Sequence, residues 1–265
     1  MITSLSNDTI RAIRKLEEGK YRKSTGLFLA EGLRVVAQAF DSGADVEQLI
    51  FSPSLLVSEF GQGLVEKAGA LQISLVEVSE AVFTTLSRKD TPQGIAAVIR
   101  QKWQSLSEVS PKTGDLWVGL QAVQNPGNLG TILRTCDAVG ANGLILLDHS
   151  TDPYDPVAVK ASMGSIFTVP LVKTTFPQFS TWCQAHPELS LIGTSDKARK
   201  DCFTTVYPST CLVLMGSEGQ GLPSDYMELC QETVRIPMEG ACDSLNLAVA
   251  TGIILYQVYH QRKTQ

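Results

Sequence analysis

Histidine is scarce here, and its scarcity removes a whole branch of chemistry. Only His149, His186 and His260 occur in 265 residues, far apart and near no cysteine pair. A zinc site and a histidine-based hydrolase are therefore not expected, and no metal is. The six cysteines (Cys136, Cys183, Cys202, Cys211, Cys230 and Cys242) never stand at C-x-x-C spacing. In a chain of this length that argues for reduced thiols in place of a disulfide framework. No apolar stretch reaches the roughly 18 residues of a bilayer span. The opening MITSLSNDTIRAIRK lacks the apolar core of a secretory signal, so a soluble cytoplasmic protein is expected, with no membrane partner. Also missing are G-x-x-x-x-G-K-[ST], a G-x-G-x-x-G that opens a helix after a strand, and G-x-S-x-G. Nucleotide hydrolysis, a dinucleotide cofactor and a serine hydrolase all lose support. Nor is there an excess of positive charge: the net charge is -5 and the pI about 5.3.

What is present is core-forming material, 43% apolar residues against 18% charged. This excludes a disordered chain. The charge average also hides a local cluster: Arg11, Arg14, Lys15, Lys20, Arg22 and Lys23 face only Glu17 and Glu18 between positions 11 and 23. The pattern suits either a solvated helix face or an arm that contacts phosphates.

The first hundred residues alternate helical and extended patterns. Asn7 and Asp8 are placed to cap a helix carrying Ile10, Ile13 and Leu16. GLFLAEG, VEQLIF, ISLVEV and GIAAVIR read as strands; Leu33–Phe40, Leu55–Ala68 and Glu80–Leu86 read as helices. The polar segment QKWQSLSEVSPKTGD, residues 101–115, shows no sustained period. The expected organisation is an N-terminal α/β domain over 1–105, a linker over 106–115 and a second domain over 116–265. In that second half LWVGLQAV, GLILL, TVPLV, LSLIG, CLVLMG and TVRIP read as short apolar strands, mostly separated by helical segments, and Leu245–Tyr259 as a buried helix. Such alternation predicts a Rossmann-like parallel sheet covered on both faces.

Ligands bind beyond the carboxyl ends of such strands. Three loops there stand out: Asn125–Gly130, read as a loop opening the helix that carries Arg134; Gly216–Gly221, after CLVLM; and Pro237–Asn246, before the last helix. Any one of them is equally a simple turn. On residue types alone they describe a small-ligand site made of backbone groups with Arg134, Glu218 and Asn246 as polar actors.

Together, NPGNLGTILRTCDAVG, LMGSEGQGLP and IPMEGACDSLNLAVATGIILY resemble, in order and spacing, the three motifs of the SpoU (TrmH-like) RNA ribose methyltransferases of the SPOUT superfamily. The likeness covers about residues 116–260, and KASMGSIFTVP from Lys160 is similar to the family's central stretch. The N-terminal part resembles the ribosomal-protein-like substrate-binding domain that many members carry. The resemblance implies a parallel sheet with a C-terminal deep trefoil knot, S-adenosylmethionine as cofactor, and a homodimer with the site near its interface. It implies an RNA 2′-O-methyltransferase, with ribosomal RNA favoured over transfer RNA by the N-terminal domain; an RNA-binding or ribosome-assembly factor without catalysis is the reading of another class. By position in the motifs, Asn125 and Arg134 match polar residues at the reaction centre, Glu218 the acidic residue of the second motif, and Ser244 and Asn246 the pair facing the arginine. Gly216, Ile236 and Leu245 match backbone contacts to the cofactor, with Leu214, Met215, Gly219 and Met238 beside them. Arg11, Arg14, Lys15, Arg22 and Lys23 are the expected RNA contacts. Leu247-Ala248 stands where members often have Val-Ser, and leaves the polar positions intact. A guanidinium is too weak an acid to serve as a base near neutrality, so Arg134 is expected to act as an electrostatic clamp on the 2′-oxygen and its phosphate. The proton then passes to that phosphate or to water, with Asn125 and Asn246 orienting Arg134 and Glu218 anchoring it or a neighbour.

Overall fold

In the computed structural model, which describes residues 1–88 and 90–264, the chain forms two compact units. One comprises 1–101 together with 152–167; the other comprises 102–151 and 168–265.

In the first unit, Asn7 opens α1 (Asp8–Lys15) by accepting the Thr9 N–H at 2.9 Å. The chain continues through α2 (Gly19–Thr25), β1 (Leu27–Glu31), α3 (Leu33–Asp41), β2 (Val46–Phe51), α4 (Glu59–Ala70), β3 (Ser74–Glu77), α5 (Glu80–Leu86) and β4 (Ile95–Arg100). The sheet order is β1-β4-β2-β3, with β4 antiparallel to both neighbours and β2 parallel to β3. Ile10, Ile13 and Leu16, at helical spacing, pack on Ile50, Val76, Val98, Phe83 and Leu86. The expected strands are all here, and α2 is an addition.

Residues 152–167 pack with this unit, although the sequence pattern places them in the C-terminal domain. The reason lies in two contacts. Tyr154 and Phe167 flank the buried Phe28 ring, at 4.7 and 6.2 Å between centroids. Arg22 binds Asp152 at 2.8 Å and Asp155 at 3.4 Å, and Asp155 in turn caps α7 (Pro156–Ser162).

The second unit holds β5 (Leu116–Gln121), α6 (Pro126–Val139), β6 (Gly143–Leu147), β7 (Leu171–Thr174), α8 (Phe176–Ala185), β8 (Ser190–Thr194), β9 (Lys200–Asp201), β10 (Cys211–Met215), α9 (Ser224–Leu229), β11 (Glu232–Arg235) and α10 (Leu247–Thr264). The sheet runs β7-β6-β5-β10-β8-β11-β9, parallel at every pairing. From β5 the chain first builds outward to β6 and β7. It then crosses to the other side, and β10 enters between β5 and β8. Strand order thus reverses between β5 and β10, where an open parallel sheet leaves a crevice at its carboxyl edge.

Two sequence expectations shift. The 106–115 stretch is structured: Val109 is buried in the core of this unit, and its carbonyl accepts from Trp182 Nε1 at 3.0 Å. The segment Asn125–Gly130 is mostly helix, not loop. Asn125 is the N-cap of α6, Pro126 takes the first helical position, and the glycines lie inside the first turns.

Candidate active site

Three segments meet at the β5–β10 crevice. Glu218, in the turn after β10, accepts hydrogen bonds from Gln124 N (3.2 Å), Asn125 N (3.3 Å) and Asn128 Nδ2 (3.0 Å). Burial pushes its carboxyl up, but these donors, Asn128 foremost, outweigh it and hold the group below the usual glutamate range. The carboxylate also sits at the N-terminus of α6, where the helix dipole favours negative charge. Asn125 Oδ1 accepts from Asn128 N at 3.0 Å. Asn246 caps α10, accepting from Ala248 N at 2.9 Å, and its Nδ2 donates to Asn128 Oδ1 at 2.9 Å. Asn128 therefore ties the first segment to both others. Sequence reading passed over it because it lies inside a motif whose first asparagine draws attention; its place in the first helical turn, on the face of its own cap, was the available signal.

The turn after β10 is tight. Ser217 and Gly221 exchange backbone hydrogen bonds at 3.2 and 3.1 Å. A Cβ on Gly216 would lie 2.0 Å from the Gly221 carbonyl carbon, so only glycine fits. Beside this turn opens a cleft of about 490 Å³, within the range of small-ligand sites. Met215, Gly216, Glu218, Gly219, Ile236, Met238, Ser244 and Leu245 all line it. Thr194, at the end of β8, and Ser195, Asp196 and Lys197, just beyond it, line it too and were not anticipated. The rule that sites lie past strand ends applied to them, but no glycine marked the loop.

Several expected residues are placed elsewhere. Leu214 faces away from the cleft: it is fully buried, packed over Gly119, and its carbonyl accepts from Thr194 Oγ1 at 2.9 Å. Arg134 lies on the exposed side of α6 and has no ion pair among the described residues. Among the basic residues Arg11, Arg14, Lys15 and Lys23 are exposed, but Arg22 is not a phosphate contact. Its side chain is 3% exposed and is consumed by Asp152, Asp155 and the carbonyls of Leu16 and Glu17 at 2.9 and 2.8 Å. It satisfies the Leu16 and Glu17 carbonyls that follow α1. Among the described residues no group of three or more His, Cys, Asp or Glu side chains is placed to hold a metal ion.

The fold and cleft define a class, and comparison with known proteins names it. Residues 115–256 match the SpoU rRNA Methylase family, and residues 7–97 match the MRM3-like substrate binding domain. The chain belongs to the SpoU rRNA methylase family. A crystal structure of an rRNA methyltransferase from Sinorhizobium meliloti with AdoMet bound is 36% identical, covers 98% of this chain and 97% of its own, and superposes with a TM-score of 0.89. The 23S rRNA (uridine(2479)-2'-O)-methyltransferase of Streptomyces viridochromogenes is 31% identical over 91% of this chain and 85% of its own. A 23S rRNA (guanosine(2553)-2'-O)-methyltransferase of Bacillus subtilis is 28% identical over 97% of this chain and 98% of its own.

Proposed function

We propose that this chain is an S-adenosylmethionine-dependent methyltransferase that modifies a ribose 2′-hydroxyl of ribosomal RNA. One observation carries the reading: in a member of this family, the segments 216–221 and 236–245 line a single cleft beyond the ends of β8, β10 and β11, and Asn128 ties Glu218 of the one to Asn246 after the other. The relatives from Streptomyces viridochromogenes and Bacillus subtilis, which match both units, are named for 23S rRNA, and this favours ribosomal over transfer RNA; a Synechocystis relative that also matches both is named for tRNA/rRNA.

The cleft suits the cofactor by size and by its mix of apolar side chains and loop backbone, with Gly216, Ile236 and Leu245 as the main contacts and Met215, Gly219 and Met238 beside them. S-adenosylmethionine supplies an activated methyl group, so neither a metal nor a covalent enzyme intermediate is required. What remains for the protein is positioning and charge control. The Asn125–Asn128–Asn246 chain of hydrogen bonds, closed by Glu218, holds the N-termini of α6 and α10 against the turn after β10. Ser244 faces the same cleft. Arg134, unpaired in the described chain, clamps the 2′-oxygen and neighbouring phosphate as negative charge develops. The hydroxyl proton leaves to that phosphate or to water. The N-terminal unit serves as the RNA-binding domain through Arg11, Arg14, Lys15 and Lys23, and the C-terminal unit as the catalytic one, its C-terminal part threaded into a deep trefoil knot. The enzyme works as a cytoplasmic homodimer, supported by the exposed Val249 and Tyr256 on α10 and by Phe203 beside it.

The test is a map of 2′-O-methyl sites in total RNA from cells with and without this protein. Loss of one ribosomal site is the expected result; an unchanged ribosomal RNA with a lost transfer-RNA site would overturn the substrate.

A further inference from the structure

A second cavity, of about 260 Å³, lies wholly within the N-terminal unit and takes no part in the site above. Leu29 of β1, Leu86 of α5, and Val157 and Val159 of α7 form its walls. Charged groups gather at its mouth. The backbone N–H of Arg88 donates to Glu31 Oε2 at 3.2 Å, and its Nε donates to Glu17 Oε1 at 3.1 Å, so one arginine holds two carboxylates side by side. Ser87 Oγ donates to the other Glu31 oxygen. Glu17 Oε2 accepts from no described residue, and each Glu31 oxygen keeps a second lone pair. Lys160, also at the rim, is exposed and has no carboxylate partner among the described residues.

A slot with apolar walls and hydrogen-bond acceptors at its mouth is poor for a hydrated ion and good for a flat heteroaromatic ring with N–H donors. Proteins read an unstacked nucleobase in this way, packing its faces against apolar side chains and bonding its Watson–Crick edge. Among the four bases, guanine alone presents two adjacent N–H donors on that edge, from N1 and the 2-amino group. The surroundings favour a polyanion: Glu17 follows α1 by two residues, and Arg11, Arg14, Lys15 and Lys23 are exposed on α1 and α2. Resting on the reading of this chain as an RNA enzyme, we propose that the cavity binds an unpaired guanine of the substrate RNA, its donor edge read by Glu17 and Glu31 and its flanking phosphates held by Lys160 and the exposed Arg11, Arg14, Lys15 and Lys23. Target choice is then shared between the cleft, which acts on a ribose, and this slot, which selects a guanine elsewhere in the RNA.

The experiment measures binding of the full chain to oligouridylate carrying one central guanosine, inosine or adenosine, at one fixed salt concentration. Inosine keeps N1–H and lacks the 2-amino group. The guanosine strand is expected to bind about tenfold more tightly than the inosine strand. Glu17→Gln and Glu31→Gln should each reduce that ratio, and Val157→Trp, which fills the slot from an exposed position, should bring guanosine down to adenosine. Circular dichroism and the thermal midpoint should stay unchanged in all three, which shows that the N-terminal unit still folds, and S-adenosylmethionine affinity, measured by calorimetry, should be unchanged as well. If RNA binds without a guanosine preference, or the preference persists in all three variants, the slot is not a guanine site and the enzymatic reading stands. If no RNA binds under any condition, that reading falls and the slot with it.

Discussion

Asn128 uses both ends of its amide, donating to Glu218 and accepting from Asn246, while its backbone N–H closes the α6 cap. Replacing it with aspartate puts a carboxylate oxygen where the donor to Glu218 was. Asn128→Asp should cost about 1–3 kcal/mol in unfolding free energy and lower methyl transfer, whereas Asn128→Ser should be milder; equal denaturation midpoints for wild type and the aspartate variant would refute the network. Glu218 itself carries a pH signature. Its carboxyl is held below the unfolded value of about 4.3, so its stabilising contribution is present above that pH and is lost as pH falls through the lower folded value. The thermal midpoint of wild type should therefore exceed that of Glu218→Gln near neutrality, and the gap should close in acid. A gap independent of pH would mean that ionisation plays no part. Arg134, by contrast, supports no part of the described fold through charge. Arg134→Ala should reduce single-turnover methyl transfer by on the order of a hundred- to a thousand-fold with little change in cofactor affinity. Arg134→Lys should rescue poorly because an ammonium lacks the planar fork. Near-normal turnover, or failure through lost cofactor binding, removes Arg134 from the reaction.

Among the elements, the turn after β10 and the pair α1–α2 invite opposite tests. Gly216→Ala forces the 217–222 backbone apart, since the new carbon would overlap Gly221 and the Leu222 nitrogen. Cofactor affinity should fall sharply while the N-terminal unit keeps its RNA binding; calorimetry and filter binding separate the two. On α1 and α2, neutralising Arg11, Arg14, Lys15 and Lys23 should lower the slope of log affinity against log salt by roughly one unit per lost phosphate contact. Arg22→Ala behaves differently. It strands Asp152, Asp155 and two carbonyls, and should show up as instability, about 3 kcal/mol, and not as a change in salt slope. A salt slope that falls in Arg22→Ala at unchanged stability would return it to the RNA contacts. The element pattern was legible in advance because strand and helix periods differ: Ile10, Ile13 and Leu16 repeat at helical spacing, while CLVLM and GLILL are unbroken apolar runs. The charge pattern was less informative, because a sequence counts Arg22 with its neighbours whether or not it is buried.

Taken whole, the molecule presents apolar side chains that its own fold leaves uncovered, with Val249 and Tyr256 each 52% exposed on α10 and Phe203 at 50%. A homodimer closing over α10 should sediment at twice 28.7 kDa, and Tyr256→Asp should shift it towards the monomer by burying a charge in that face. A strict monomer that remains active at low concentration would rule out the dimer as the working form.

The amino-acid sequence by itself determined the parallel strand–helix alternation, the cap at Asn7, and the three motifs, because each rests on periods and spacings within a few neighbouring residues. It also singled out Glu218 and Asn246 as polar residues beyond strand ends, and the structure joins both to Asn128. Only the tertiary structure decided that Asn128 joins them, that Leu214 turns into the core, that Arg22 is buried, and that 152–167 pack with the first unit. Each of these depends on contacts between residues far apart in the chain. Arg22 meets Asp152 across 130 positions and Asn246 meets Asn128 across 118. No local pattern encodes such a meeting: it is set by how strands order themselves in a sheet, and β10 entering between β5 and β8 is what brings the turn at Gly216 to the end of β5.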